Sequence, residues 1–235
     1  MNAGAGPDRV TSEVAVTRKA KADDTRARLF FAAAGLFAAE GYHATTVDKI
    51  ARKAGVAKGT FFVHFPAKSA VVTELVRIQT RAARRERERL LAAGATPVER
   101  LRATVMTLGE RAGGSRTLSR AVLAAGLESP DVGGATDALF HEVFALMVDD
   151  AREAQRSRLL VAKPDAETLA SVLMASYLGA ALHFTTTPDA KPLMDILTPL
   201  VEANLAALTT VRPTAATPRT KRKATTKLET RSAPR

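Results

Sequence analysis

Apolar residues recur at three- and four-residue steps along most of the chain, and the pattern breaks at glycine and proline. Leu29, Phe30, Ala33, Leu36 and Phe37 form one stripe, which predicts a helix over 23–40, capped by Asp23 or Asp24 and stopped by Gly41. Tyr42 closes the same small core, while Phe31 falls off the stripe. Two short helices follow, 47–54 and 58–64, burying Val47, Ile50, Val56, Phe61 and Phe65. Thr46 caps the first, Ala51 and Gly55 permit a steep crossing, and Pro66 ends the second. A long helix over 67–93 begins apolar at Val71, Val72, Leu75 and Ile78 and turns into the alternating charges RAARRERERLL. Self-paired charges on a solvated face are expected there, with Arg85–Glu88 and Glu86–Arg89 at three-residue spacing.

After the break at Gly94 and Pro97 the helices become longer and more apolar. They are expected over 98–111, 117–127, 135–160, from 165 onward and after Pro188, with 130–134 as a loop. The penultimate helix has Asp165 near its N-cap and carries Leu169, Val172, Leu173 and Tyr177. The last has a stripe of Leu193, Ile196, Leu197, Leu200, Val201, Asn204, Leu205 and Leu208. The fold class is therefore all-α, in four parts: an arm at 1–22, a helix-turn-helix domain at 23–70 with its motif at 45–64, a helical domain at 71–210 and a tail at 211–235. Arm and tail lack apolar periodicity and are expected to be disordered.

Composition narrows the function. Lys and Arg number 35 against 24 Asp and Glu, a net charge of +11, which favours a polyanionic partner. Cysteine is absent, so there is no disulfide frame and no thiolate chemistry. The N-terminus lacks a signal-peptide core, and no stretch is expected to approach the roughly 18 apolar residues of a membrane span. A cytoplasmic protein with no membrane partner, nucleoid-associated when on DNA, is the expectation.

The chemistry concentrates at 45–68, TTVDKIARKAGVAKGTFFVHFPAK, which reads as a sequence-specific module for double-stranded DNA. Thr45 and Thr46 put hydroxyls at a helix N-terminus where a phosphate can sit. On the second short helix Lys58, Gly59, Thr60, Phe62, Val63 and His64 point outward. Gly59 permits close approach, Thr60 reaches a phosphate or base edge, and His64 and Lys68 are phosphate donors.

The segment GYHATTV followed by IARKAGVAKGTFFVHFPAK resembles the DNA-binding domain of the TetR family of bacterial transcriptional regulators, over about 25–76. The family usually has Ser where Ala57 stands and Tyr where Phe62 stands, so a cap and a phosphate-binding hydroxyl are missing. Val63 also departs, and the contacts of Phe62 and Val63 must be apolar, to sugars or a thymine methyl.

The resemblance implies a homodimeric regulator, most often a repressor, on a palindromic operator. The last two helices then supply a four-helix dimer interface through Leu193, Ile196, Leu197, Leu200, Val201, Asn204 and Leu205. It also implies a small hydrophobic effector in the C-terminal domain, with Met106, Phe140, Phe144, Met147, Tyr177, His183 and Phe184 as candidate pocket residues, and no cofactor.

Two other readings compete. An architectural or weakly specific DNA binder would rely on the basic arm and tail. An enzyme is disfavoured because HExxH, GxSxG, GxxxxGK[ST] and GxGxxG are missing, and His43, His64, His141 and His183 lack metal-ligand spacing. His141 with Glu142 and Asp149 or Asp150 is the nearest approach to a metal set, and no metal is expected.

Overall fold

The computed structural model describes residues 7–128 and 130–209, and among these residues the chain is built from nine helices. The first, α1 (Pro7–Glu40), starts well before the expected cap. Pro7 stands at the first helical position, and no Gly or Pro follows until Gly35, so nothing in an Ala-, Lys- and Arg-rich stretch stops the helix at Asp23. The expected arm is thus corrected: 7–22 is helical, while 1–6, like the tail at 211–235, lies outside the described residues.

Gly41, at φ +85°, ends α1 as expected. Then come α2 (Val47–Lys53) and α3 (Lys58–His64), joined through Gly55 at φ +68°. That left-handed conformation lets the Val56 amide donate to the Ala51 carbonyl at 3.0 Å and turns the chain within a few residues. The long connector α4 (Lys68–Ala92) follows.

A small core rich in aromatics gathers Leu29, Phe30, Phe37, Ile50, Phe61, Phe65, Val71 and Val72. Helices of seven residues cannot stand alone, and the rings between them supply the missing burial. This core does not end at residue 70. It continues into Ala121 and Ala125 of α6 (Arg116–Glu128) and Val132 of α7 (Pro130–Arg156), so the expected domain boundary is a shared wall. The start of α7 replaces the loop expected at 130–134. Gly133 is needed there because a Cβ on it would stand 2.8 Å from the Gly126 carbonyl oxygen of α6.

The second core is mainly aliphatic. It is built from α5 (Pro97–Gly113), α7, α8 (Ala166–Thr186) and α9 (Leu193–Leu208), with Ala83 of α4. By length and composition α8 could cross a membrane, contrary to the expectation, but half of it is buried among the other helices, which marks it as a core helix. Where α4, α5 and α7 meet, Asp150 is fully buried. Arg87 reaches both its oxygens at 2.6 and 2.8 Å, and Arg100 donates to it at 2.8 Å and to Glu153 at 2.5 Å. The charge run on α4 is therefore only partly self-paired. Glu86 and Arg89 pair with each other, but Arg87 reaches Asp150 and Arg84 reaches Glu142, because α7 lies alongside.

Candidate nucleic-acid interface and regulatory cavity

The end of α1 and the start of α4 hold the short helices in place. Thr46 caps α2 by accepting from the Lys49 amide at 3.3 Å. Thr45 is not at the surface: it is fully buried, and its hydroxyl donates to the Gly41 carbonyl at 2.8 Å. The expected Thr45 contact is corrected, since that hydroxyl is spent on closing the α1–α2 turn. Lys68 is likewise inward. Its ammonium donates to the carbonyls of Tyr42 at 2.6 Å and Thr45 at 2.9 Å and lies 4.0 Å from the Tyr42 ring centre. It clasps the turn to α4, so its ammonium is held by that turn rather than presented outward.

Two surface pairs hold Lys49 and Lys58. Lys49 reaches Glu40 at 2.7 Å and Lys58 reaches Asp48 at 2.8 Å. Each bond holds the carboxyl below its ordinary pKa, Lys49 acting on Glu40 and Lys58 on Asp48. Ala57 precedes α3 with no side-chain cap, as expected from its methyl group. Lys58 and Gly59 are exposed, and Thr60 and His64 are half-buried beside them. Phe61 is fully buried, whereas Phe62 is 49% exposed and Val63 80% exposed. Lys58, Gly59, Thr60, Phe62 and His64 are thus gathered on α3, while Thr46 stands at the start of α2. Val63 is outward as well and is the most exposed large apolar residue of the motif.

The helical domain contains two clefts, of about 490 and about 410 Å³. Both are lined by Val122, Leu123, Phe140 and Leu178, so they adjoin in one elongated, mainly apolar space between α4, α5, α6, α7 and α8. Of the expected pocket residues, Phe140, Phe144 and Tyr177 line it. Met147 and Phe184 are buried in the helical core, Met106 packs against that core, and His183 is exposed with its ring 3.0 Å from the Thr187 hydroxyl. These four are removed from the pocket: His183 faces outward, and the other three side chains are taken up by packing in or against the helical core.

The sequence reading missed Gln79. Its amide donates to the Leu108 carbonyl at 2.8 Å and to the Tyr177 hydroxyl at 2.5 Å, at the wall of the second cleft. The available signal was one amide on the otherwise apolar stripe of α4. Burial pushes the Tyr177 pKa up to about 12, so the phenol stays neutral.

On α9, Leu193, Leu197, Val201 and Leu205 are buried in the chain's own core, which corrects their assignment to a dimer face. Ile196 and Asn204 are half-buried, and Asn204 donates to Ser176 at 3.0 Å. Leu200 is exposed, as are Ala203 and Ala207 of α9 and Ala175, Leu178 and Leu182 of α8. The outward side of the helix pair is therefore apolar, but it is the opposite side of the stripe. The polar group nearest to a metal set is engaged elsewhere: His141 pairs with Asp137, Glu142 with Arg84 and Asp150 with two arginines.

Residues 29–75 match the model of the bacterial regulatory proteins of the tetR family. The chain is 26% identical over 137 residues to the HTH-type transcriptional regulator UidR of Escherichia coli, covering 58% of this chain and 69% of that one. It is 45% identical over 53 residues to SrpR of Pseudomonas putida, covering 23% and 25% of the two chains. Among solved structures it is similar to Thermus thermophilus FadR, a TetR-family repressor in complex with lauroyl-CoA. That match has 28% identity and a TM-score of 0.58 over 81% of this chain and 98% of the other. Bacillus subtilis FadR with stearoyl-CoA shares the fold at 18% identity and a TM-score of 0.66, covering 77% and 98%.

Proposed function

This chain is a helix-turn-helix transcriptional regulator of the tetR family, and from that premise we propose that it represses transcription as a homodimer on a palindromic operator and leaves DNA when an apolar small molecule binds. The observation that carries the coupling is the position of α6. Its Val122 and Leu123 wall the cavity, while Ala121 and Ala125 belong to the core that holds α1, α2 and α3. A ligand that spreads the cavity therefore pushes on the helix that seats the DNA-binding unit, and linkage requires only that it bind the displaced geometry better.

The effector is a molecule with a long apolar part. Support comes from the lining, where Leu123, Phe140, Phe144, Met174 and Leu178 predominate, and from the lauroyl-CoA held by the T. thermophilus relative. Dimerisation uses the outward faces of α8 and α9, around Leu182 and Leu200, in keeping with the two-fold symmetry of paired half-sites. The protein acts by binding, without catalysis or cofactor, in the cytoplasm and at the nucleoid.

Selection of bound duplexes from a random pool tests the DNA reading. The expected outcome is a palindrome with half-site centres about one turn apart, ~34–36 Å, or a multiple of it. A pool that yields no common sequence would overturn specific recognition. Adding lauroyl-CoA to the selected complex is expected to release the DNA. If it and other apolar acyl compounds leave the complex intact while binding the protein, the coupling through α6 is wrong.

A further inference from the structure

Sequence-specific proteins commonly read bases with side chains that make paired hydrogen bonds: Arg or Lys on guanine, Asn or Gln on adenine. The seven residues of α3, KGTFFVH, contain no Arg, Asn or Gln. Their single lysine is drawn sideways onto Asp48 at 2.8 Å, and Thr60 and His64 are half-buried. What α3 presents most openly is apolar. Gly59, Phe62 and Val63 are spaced three and four apart, so they share one face, on which Val63 is 80% and Phe62 49% exposed.

Gly59 strengthens the point. A Cβ built on it would meet nothing within 4 Å, so the protein's own packing does not demand a glycine there. Its smoothness matters to whatever approaches from outside. On the base edges of the B-DNA major groove the one projecting apolar group is the C5-methyl of thymine, set among hydrogen-bond donors and acceptors. An apolar face pressed against donors and acceptors strips them of water without replacing it, whereas the same face over methyl groups buries apolar area on both sides.

We propose that the Gly59–Phe62–Val63 face reads thymine methyl groups, with Val63 and Phe62 covering methyls and Gly59 giving the clearance that brings them down to the base edge. Each half-site then carries thymines opposite α3, and their methyls supply the base discrimination that paired hydrogen bonds supply elsewhere. This rests on the DNA-binding reading.

The test replaces each thymine of the selected operator by deoxyuridine, one position at a time, and measures the dissociation constant of the full chain. This exchange deletes the methyl and leaves O4 and every hydrogen-bonding group in place. At one or two symmetry-related positions per half-site, affinity is expected to fall about fourfold, which is one buried methyl at about 0.8 kcal/mol. Val63→Ala, at a surface position that leaves the core untouched, is expected to abolish the deoxyuridine effect at one of them. The proposal is overturned if every deoxyuridine duplex binds as tightly as the thymine duplex, if the selected half-site has no thymine in the stretch protected by α3, or if Val63→Ala weakens thymine and deoxyuridine duplexes equally. Failure of the broader reading looks different, because no operator would then emerge from the pool.

Discussion

Around Phe61 the protein is held together by rings, and around Asp150 by charge. The small core sets Phe61 5.7 Å from Phe65 and 5.5 Å from Phe62, under helices of seven residues whose ends depend on Thr46 and on the Lys68 clasp. The larger core spreads its burial over long helices and has area enough to tolerate both a buried ion cluster and an elongated cleft. The difference follows from size. A unit with little area must use its largest side chains and fix its turns with local hydrogen bonds, whereas a bundle of long helices can accommodate polar groups and empty space in its interior. Close ring packing thus lies under the two short helices, and open space lies between the long ones.

Substitutions that remove each core's anchor measure that contrast. Asp150→Ala leaves Arg87 and Arg100 buried beside each other without their shared carboxylate, and should cost about 3–5 kcal/mol in urea unfolding. Phe61→Ala should cost a similar ~3–5 kcal/mol, because the small core has no spare side chain to collapse into the void. If Phe61→Ala were tolerated within 1 kcal/mol, at about the level of a surface change, the small core would not be the closely packed unit described.

Next in size is the clasp. Lys68→Met keeps the stem over Tyr42 and deletes two hydrogen bonds from a charged donor, for an expected loss of about 1.5–3 kcal/mol. Operator affinity should fall as well, because the α1–α2 turn loosens. A variant that weakens DNA binding but melts like the wild type would return Lys68 to the role of a phosphate donor.

Tyr177 probes the cleft side. Its folded pKa, about 12, lies above the ordinary tyrosine value of about 10. Its contribution is therefore full below pH 10 and is lost as pH rises from 10 towards 12. Unfolding curves across that window should show a decline that Tyr177→Phe removes, at a cost of about 1 kcal/mol at neutral pH from the lost bond to Gln79.

The smallest effects are at the caps. Thr46→Ala should lose about 1 kcal/mol, while Ala57→Ser should gain a few tenths to 1 kcal/mol by supplying the cap that α3 lacks. Thermal melts of the two, run together, report whether local capping limits the motif.

Much of this was readable along the chain. The stripe from Leu29 to Phe37, the Thr46 cap, the Gly55 turn, the buried Phe61 and the outward Phe62 follow from periodicity and turn chemistry, which act over fewer than ten residues. The site was less legible where a side chain has two chemically reasonable uses. Thr45 and Lys68 carry groups suited to phosphate, and only the approach of Gly41, Tyr42 and α4 shows that those groups are consumed inside. On α9 every fourth residue is apolar on both sides, so spacing alone does not say which side faces the chain's own core.

What the sequence by itself determined, then, is the all-α fold and the two-helix reading unit, because helix periodicity, caps and a glycine turn are local properties. Only the tertiary structure decided that α1 begins at Pro7, that Arg87 and Arg100 converge on Asp150, that Gln79 meets Tyr177 across 98 residues of chain, and that α6 joins the cavity to the reading unit. Those depend on which helix faces come together, and a face acquires its partner only when distant segments pack.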